Sequence, residues 1–207
     1  MAHTPQALPP EITVLERDWL SANNIVFQGA HSGTAVVDTG YHSHAEHTVA
    51  LLGAALHGRA LDHILNTHLH SDHCGANAAL QAAWPGVRTA VPPGQMAHVR
   101  HWDAYALSYT PTGQHCPPFR ADAALMPGTE VLLGDRPWQI HAAPGHDPHS
   151  IVLFEPQDAL LISADALWEN GFGVVFPELE GEAAFAEVAA TLDLIARLAP
   201  RTVIPGH

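Results

Sequence analysis

At 207 residues the chain has room for one domain with a buried core, and its 47% hydrophobic and 14% charged content excludes a disordered or low-complexity polymer. Its 21 acidic side chains face 8 basic ones, all arginine; a formal charge of −13 repels phosphate backbones, so nucleic acid is not an expected partner. Cys74 and Cys116 are too few for a disulfide framework, and no apolar run approaches the roughly 18 residues of a membrane-spanning helix. The stretch Met1 to Pro10 is polar and proline-rich, without the basic and apolar regions of a signal peptide, so a soluble cytoplasmic protein is expected. Seventeen histidines are far more than packing requires, and histidine is the commonest metal ligand.

In chain order, short strands are predicted at Ile12 to Leu15, Asn24 to Gln28 and Thr34 to Asp38, the last ending in Thr39-Gly40. A helix is expected over Thr48 to Leu56, stopping before Gly58. Ile64 to Thr67 is a short buried strand that delivers the chain into His68. A helix over Ala76 to Trp84, a strand over Arg88 to Val91 and a helix over Gln95 to His101 follow. Asp103 to Leu125 has no clean period and reads as a long functional or mobile loop. Strands return at Glu130 to Leu133, Trp138 to Ala142, Ser150 to Phe154 and Ala159 to Ser163. Glu182 to Ala199 is an amphipathic helix with Phe185, Val188, Leu192, Ile195 and Leu198 on one stripe. Arg201 to Ile204 is a final strand ending at Pro205-Gly206-His207. The pattern suits a single α+β domain, residues 1–207, of two packed sheets with helices on their outer faces.

Chemistry concentrates in Asn66-Thr67-His68-Leu69-His70-Ser71-Asp72-His73, four potential ligands within six residues of an apolar strand. Alternation at a strand end lets His68 and His70 point into one site, while Asp72 and His73 open the following helix and address a neighbouring one. Imidazole nitrogen with carboxylate oxygen suits Zn²⁺ and, less selectively, Fe or Mn.

The run His68-Leu-His-Ser-Asp-His73 resembles the His-x-His-x-Asp-His motif of the metallo-β-lactamase superfamily. Three later segments resemble that family's further motifs in the same order: Ala143-Pro144-Gly145-His146, Ser163-Ala164-Asp165-Ala166 and Val203-Ile204-Pro205-Gly206-His207. Val37-Asp38-Thr39-Gly40 matches an early structural element. The resemblance implies a four-layer αββα sandwich of two mixed β-sheets flanked by helices. It also implies two divalent metal ions. His68, His70 and His146 would hold the first, Asp72, His73 and His207 the second, and Asp165 would bridge them. A metal-bridging hydroxide would then cleave a small ester, thioester or lactone, as in the glyoxalase-II-like branch. Asp72 would double as the catalytic group that orients the nucleophile and handles its proton. Asp38 would support a ligand from behind or cap its own loop. An iron-dependent sulfur (persulfide) dioxygenase is the alternative within the same family. The family normally continues beyond its last motif, so either an extension follows His207 or the protein is unusually short.

Several residues keep two readings. Tyr41, with His42, His44 and His47, lines the pocket or starts a solvated helix. Trp102, Tyr105 and Tyr109 form an apolar substrate wall or a contact with a second copy of the chain. His149 reaches the pocket or serves the surface. Trp168 is a pocket-rim or core aromatic. Cys74 is a small buried residue opening the helix or a soft ligand.

Overall fold

The computed structural model describes residues 7–18 and 20–207. The start of the proline-rich N-terminus therefore lies outside the described residues. The first sheet has six strands in sequential order: β1 (Ile12–Leu15), β2 (Asn24–Gln28), β3 (Thr34–Val37), β4 (His63–Leu65), β5 (Arg88–Val91) and β6 (Ala123–Ala124). β1, β2 and β3 pair antiparallel; β3, β4, β5 and β6 pair parallel. The second sheet runs β11-β10-β9-β8-β7, built from β7 (Glu130–Leu133), β8 (Arg136–Ala142), β9 (Ile151–Glu155), β10 (Leu160–Ala164) and β11 (Thr202–Pro205). β10 and β11 pair parallel and the remaining pairs antiparallel, so both sheets are mixed.

Period-2 alternation decides which side each strand residue faces. Ile25, Phe27, Ala35, Val37 and Leu65 meet Trp138, Ile140, Ile151, Leu153, Leu160, Ile162 and Ile204 in the core between the sheets. There Phe27 stands edge-on to Trp138 with ring centroids 5.4 Å apart. The intervening Val26, Val36 and Ile64 face outward onto Leu52 and Leu56, at the end of helix α1 (Ala45–Ala55), and Leu80 of α3 (Asn77–Ala83). On the other sheet Val152, Phe154 and Leu161 face outward onto Ile195 and Leu198 of α7 (Phe185–Leu198). The result is the expected four-layer αββα sandwich. Among the described residues no helix is long and apolar enough to cross a membrane.

Three details differ from the sequence reading. β8 starts at Arg136, because Gly134 and Asp135, both at positive φ, make a two-residue turn that pairs Arg136 with Leu133. α7 starts at Phe185, where the Glu178 carboxylate accepts the backbone N–H groups of Ala184 and Phe185 at 2.6 and 3.1 Å. Phe185 therefore lies ahead of the buried stripe and is 61% exposed. The stretch from Asp103 to Leu125 is not featureless. It follows α4 (Met96–His101) and carries α5 (Tyr109–Thr112), and Leu107, Tyr109, Cys116, Phe119 and Ala121 form a small core of their own with Leu69, Cys74 and Trp102.

Candidate metal centre

The ligand-type residues all follow strands. His68 and His70 leave the end of β4, and Asp72 and His73 sit in the four-residue helix α2 (Ser71–Cys74). His146 follows β8, Asp165 follows β10 and His207 follows β11. These strand ends share one edge of the sandwich. Two of the approaches bend at residues with positive φ: Asp38 (56°) after β3 and Ala164 (46°) at the end of β10. Left-handed backbone in a non-glycine residue is costly and collects at functional positions. At the end of β11, a Cβ on Gly206 would stand 2.3 Å from Asp165 Oδ1 and 3.0 Å from His73 Cε1, so only glycine lets the last strand come this close.

Tautomers follow from the outward hydrogen bonds. Thr67 donates its hydroxyl proton to Asp38 Oδ2 at 2.7 Å, so its oxygen accepts from His68 Nδ1–H at 3.2 Å. His146 Nδ1–H donates to the Val174 carbonyl at 2.6 Å. Both rings therefore turn an Nε2 lone pair inward, where His70 Nδ1 lies 3.1 Å from His68 Nε2 and 2.9 Å from His146 Nε2. Three neutral imidazole nitrogens this close can share one proton at most; the other contacts are lone pair against lone pair. A cation between them removes the conflict.

Burial holds all three rings neutral, pushing His70 and His146 down to about 4 and His68 well below its usual value.

The second group is built around His73. Its Nδ1–H donates to Asp38 Oδ2 at 2.8 Å, and Asp38 also accepts the Thr67 N–H at 2.9 Å. The opposite nitrogen, Nε2, is buried without a hydrogen bond, although Asp165 Oδ2 is only 3.3 Å away. A metal ion between this nitrogen and the carboxylate would satisfy both. His207 Nε2 stands 3.3 Å from Asp72 Oδ2 and 3.7 Å from Asp165 Oδ1. Burial would lower His73, but Asp165 and Asp38 outweigh it and raise the ring well above its usual value. Burial likewise would raise Asp72, yet the hydrogen bond to His207 and the His73 charge bring it to about 2. Asp165 is also held below the usual carboxylate range against its burial, by His73 before His146 and His207.

Three clusters thus gather ligand atoms within 4.8 Å of one another: His68, His70 and His146; His68, His73 and Asp165; Asp72, His73 and His207. The shared members make two adjacent metal positions the arrangement that uses every donor.

The remaining sequence candidates scatter. Trp168 is at the centre: its indole N–H donates to Asp165 Oδ1 at 3.2 Å and its ring stands edge-on to His207. Tyr41 is half-buried, its ring against His42, beside the turn where Gly75 closes α2. Trp102 is packed on Tyr109 and Phe119 in the small core rather than beside the ligands. Tyr105 is 73% exposed. His149 is exposed and lies across Gly94. Cys74 is buried 3.8 Å from Cys116 Sγ, its sulfur within 3.2 Å of the Tyr109 hydroxyl, which donates to the Leu69 carbonyl between the two first histidines. The irregular segment therefore grips the ligand loop from behind.

Two site residues escaped the sequence reading. Phe176 sets its ring edge-on to His70 and His146, with centroids at 4.7 and 5.5 Å. Asp147, buried and raised in pKa chiefly by that burial, puts Oδ2 3.8 Å from His70 Nε2. Asp147 adjoins His146 and carried a usable signal; Phe176 carried none, because its helix α6 (Phe176–Leu179) is four residues long.

The sequence model of the metallo-beta-lactamase superfamily matches residues 17–207. The chain belongs to this superfamily. Among curated relatives, the hydroxyacylglutathione hydrolase of Acidiphilium cryptum (strain JF-5) is 33% identical over 189 residues, 90% of this chain and 65% of that protein. That of Rhodobacter capsulatus is 34% identical over 149 residues, 71% of this chain and 48% of the relative. The chain thus spans about half to two thirds of the length of these relatives. Among solved structures, a metallo-beta-lactamase family protein from Thermus thermophilus superposes with a TM-score of 0.76 at 22% identity, covering 97% of this chain and 74% of that one. At these identities the structural likeness speaks for the fold.

Proposed function

We propose that this superfamily member is a hydrolase of small ester, thioester or lactone bonds that works with two divalent metal ions, Zn²⁺ before Fe or Mn. The single observation that carries the reading is the convergence of unprotonated imidazole nitrogens from His68, His70 and His146 beside the orphaned His73 Nε2. In this reading His68, His70 and His146 hold one ion, Asp72, His73 and His207 the other, and Asp165 lies between them. The ions would supply Lewis acidity, making water nucleophilic at neutral pH and balancing charge on the attacked carbonyl.

The chain's own residues do the rest. Asp38 and Thr67 take the outward Nδ1–H of His73 and His68 and so turn each Nε2 inward; His68 presents a lone pair there, and at His73 a bound ion would displace the second proton that Asp165 and Asp38 favour. Asp72, with a pKa near 2, stays an acceptor at neutral pH and orients an attacking water; so strong an acid stores a proton poorly. Trp168 steadies Asp165 through its indole N–H. The long homologues named above are hydroxyacylglutathione hydrolases, which supports the thioester class for this chain. The acidic balance of the sequence supports a small molecule, and not nucleic acid, as the partner.

Elemental mass spectrometry of the protein purified without added metal tests the reading, beside His68→Ala and Asp165→Ala. About two equivalents of Zn²⁺, lost in both variants along with thioester hydrolysis, are expected. One equivalent of iron with oxygen uptake on a persulfide would instead establish the dioxygenase chemistry, and no metal after reconstitution would end both.

A further inference from the structure

Three histidines of the centre have an outer partner on the ring nitrogen that faces away from it: Thr67 behind His68, Asp38 behind His73 and the Val174 carbonyl behind His146. In each of these the outer nitrogen is Nδ1. His70 is turned the other way round. Its Nδ1 lies 3.1 Å from His68 Nε2 and 2.9 Å from His146 Nε2, so its Nε2 is the outer nitrogen. There it meets the carboxylate of Asp147, with Oδ2 at 3.8 Å and the residue only 6% exposed.

The local chain explains how the carboxylate comes to stand there. Asp147-Pro148-His149 is an Asx turn, in which Asp147 Oδ1 accepts the His149 N–H at 2.7 Å and Pro148 fixes the φ between them. Ser150 N–H closes the turn on the Asp147 carbonyl at 3.3 Å. His149 seats the turn by lying across Gly94, where a Cβ would stand 2.3 Å from its Nδ1. One carboxylate oxygen is thereby spent on the backbone, and the other is left facing His70. At 3.8 Å the link is charge, not a direct hydrogen bond. In so dry a setting a ring nitrogen beside a carboxylate is favoured as N–H and disfavoured as a lone pair. A proton kept on Nε2 leaves the His70 Nδ1 lone pair to the centre.

Resting on the two-metal reading above, we infer that Asp147 is the positioning residue of the first metal. It holds the His70 proton on Nε2 and so frees Nδ1 as a ligand, the part that Asp38 takes behind His73. It acts through His70 and is not itself a ligand.

Asp147→Asn is the discriminating variant. Its amide oxygen can keep the Asx turn, while its NH₂ faces His70 Nε2 and favours the ring proton on Nδ1. Asp147→Ala removes the turn and the charge together and is made alongside. Zn²⁺ affinity at the two positions is read by competition with a chromophoric chelator, and the His70 ring proton by ¹H–¹⁵N NMR at saturating Zn²⁺. The first position is expected to weaken by about 10–100-fold in both variants while the second stays at parent affinity. The His70 Nε2–H signal is expected to move upfield in Asp147→Asn, its carboxylate being gone. A role confined to the turn predicts parent affinity in Asp147→Asn and a loss in Asp147→Ala alone, and that result would overturn the inference. Equal weakening of both positions, or a parent His70 with its proton on Nδ1, would overturn it too. Zn²⁺ bound as expected but no hydrolysis of any thioester would sink the hydrolase and leave the role of Asp147 standing. A parent chain that takes up no metal would end both.

Discussion

Replacing Asp38 by Asn tests the logic of the centre at a residue that touches no proposed metal. Asparagine tolerates the left-handed backbone of position 38 (φ 56°), so the loop can keep its path. The buried carboxylate accepts three donors, the Thr67 N–H at 2.9 Å, the Thr67 hydroxyl at 2.7 Å and His73 Nδ1–H at 2.8 Å. An amide has one acceptor oxygen, so its NH₂ must face at least one of these donors. If it faces His73, the ring must either lose its partner or move its proton to Nε2, the nitrogen that points at the second metal position. One buried donor left unsatisfied costs about 1–3 kcal/mol. For a chain of this size that lowers the Tm of the metal-free protein by roughly 2–12 °C. Loss of the outer partner of a ligating histidine weakens metal affinity by about 10–100-fold. The assay is metal stoichiometry after dialysis against a weak chelator, beside thermal unfolding of the metal-free chain. Stoichiometry falling from two to one, with the first metal retained, is the expected result. Two metals held at parent affinity, with only the Tm lowered, would refute the claim that Asp38 sets the His73 tautomer.

Three further outcomes are expected. Gly206→Ala would drive a methyl into Asp165 Oδ1, so metal affinity should drop by about 10–100-fold while circular dichroism stays that of the parent. Tyr109→Phe removes the hydroxyl that holds the Leu69 carbonyl; a loss of about 1–3 kcal/mol, read by chemical denaturation, is expected with weakened binding at the first metal position. The stability of the metal-free chain should fall in acid. His70 and His146 have folded pKa values near 4 against 6.5 unfolded, so between those values the unfolded chain binds more protons and stability rises with pH. Each contributes about 3 kcal/mol across that window, and denaturation midpoints at pH 4.5 and 7 check it. His73 acts in the opposite sense. Its raised pKa adds stability that is complete below 6.5 and is lost as pH climbs through the folded value. A stability flat from pH 4.5 to 7 would contradict the neutral, inward-facing histidines.

Much of this protein could be read from one dimension. The strands followed the period-2 pattern, since Ile25 and Phe27 face one side and Val26 the other for reasons local to an extended backbone. The seven ligand-type residues were legible because each belongs to a short motif that follows a strand. What failed was what depends on partners far away in sequence. Trp102 kept two readings, a substrate wall or a contact with a second copy, but it packs on Tyr109 and Phe119, and no periodicity announced that core. Phe185 sat on a helical stripe, but a carboxylate seven residues upstream capped the helix there and left the ring in water. His149, with a pocket and a surface reading both open, is exposed over Gly94, a placement that its distance from His146 along the chain could not decide. Sequence determined which residue types are near strand ends, because local sterics and hydrophobic alternation act within a few residues. Only tertiary structure decided which lone pairs face each other, because tautomers are set by outer partners such as Asp38 and Val174, which stand 35 and 28 residues from the rings they orient.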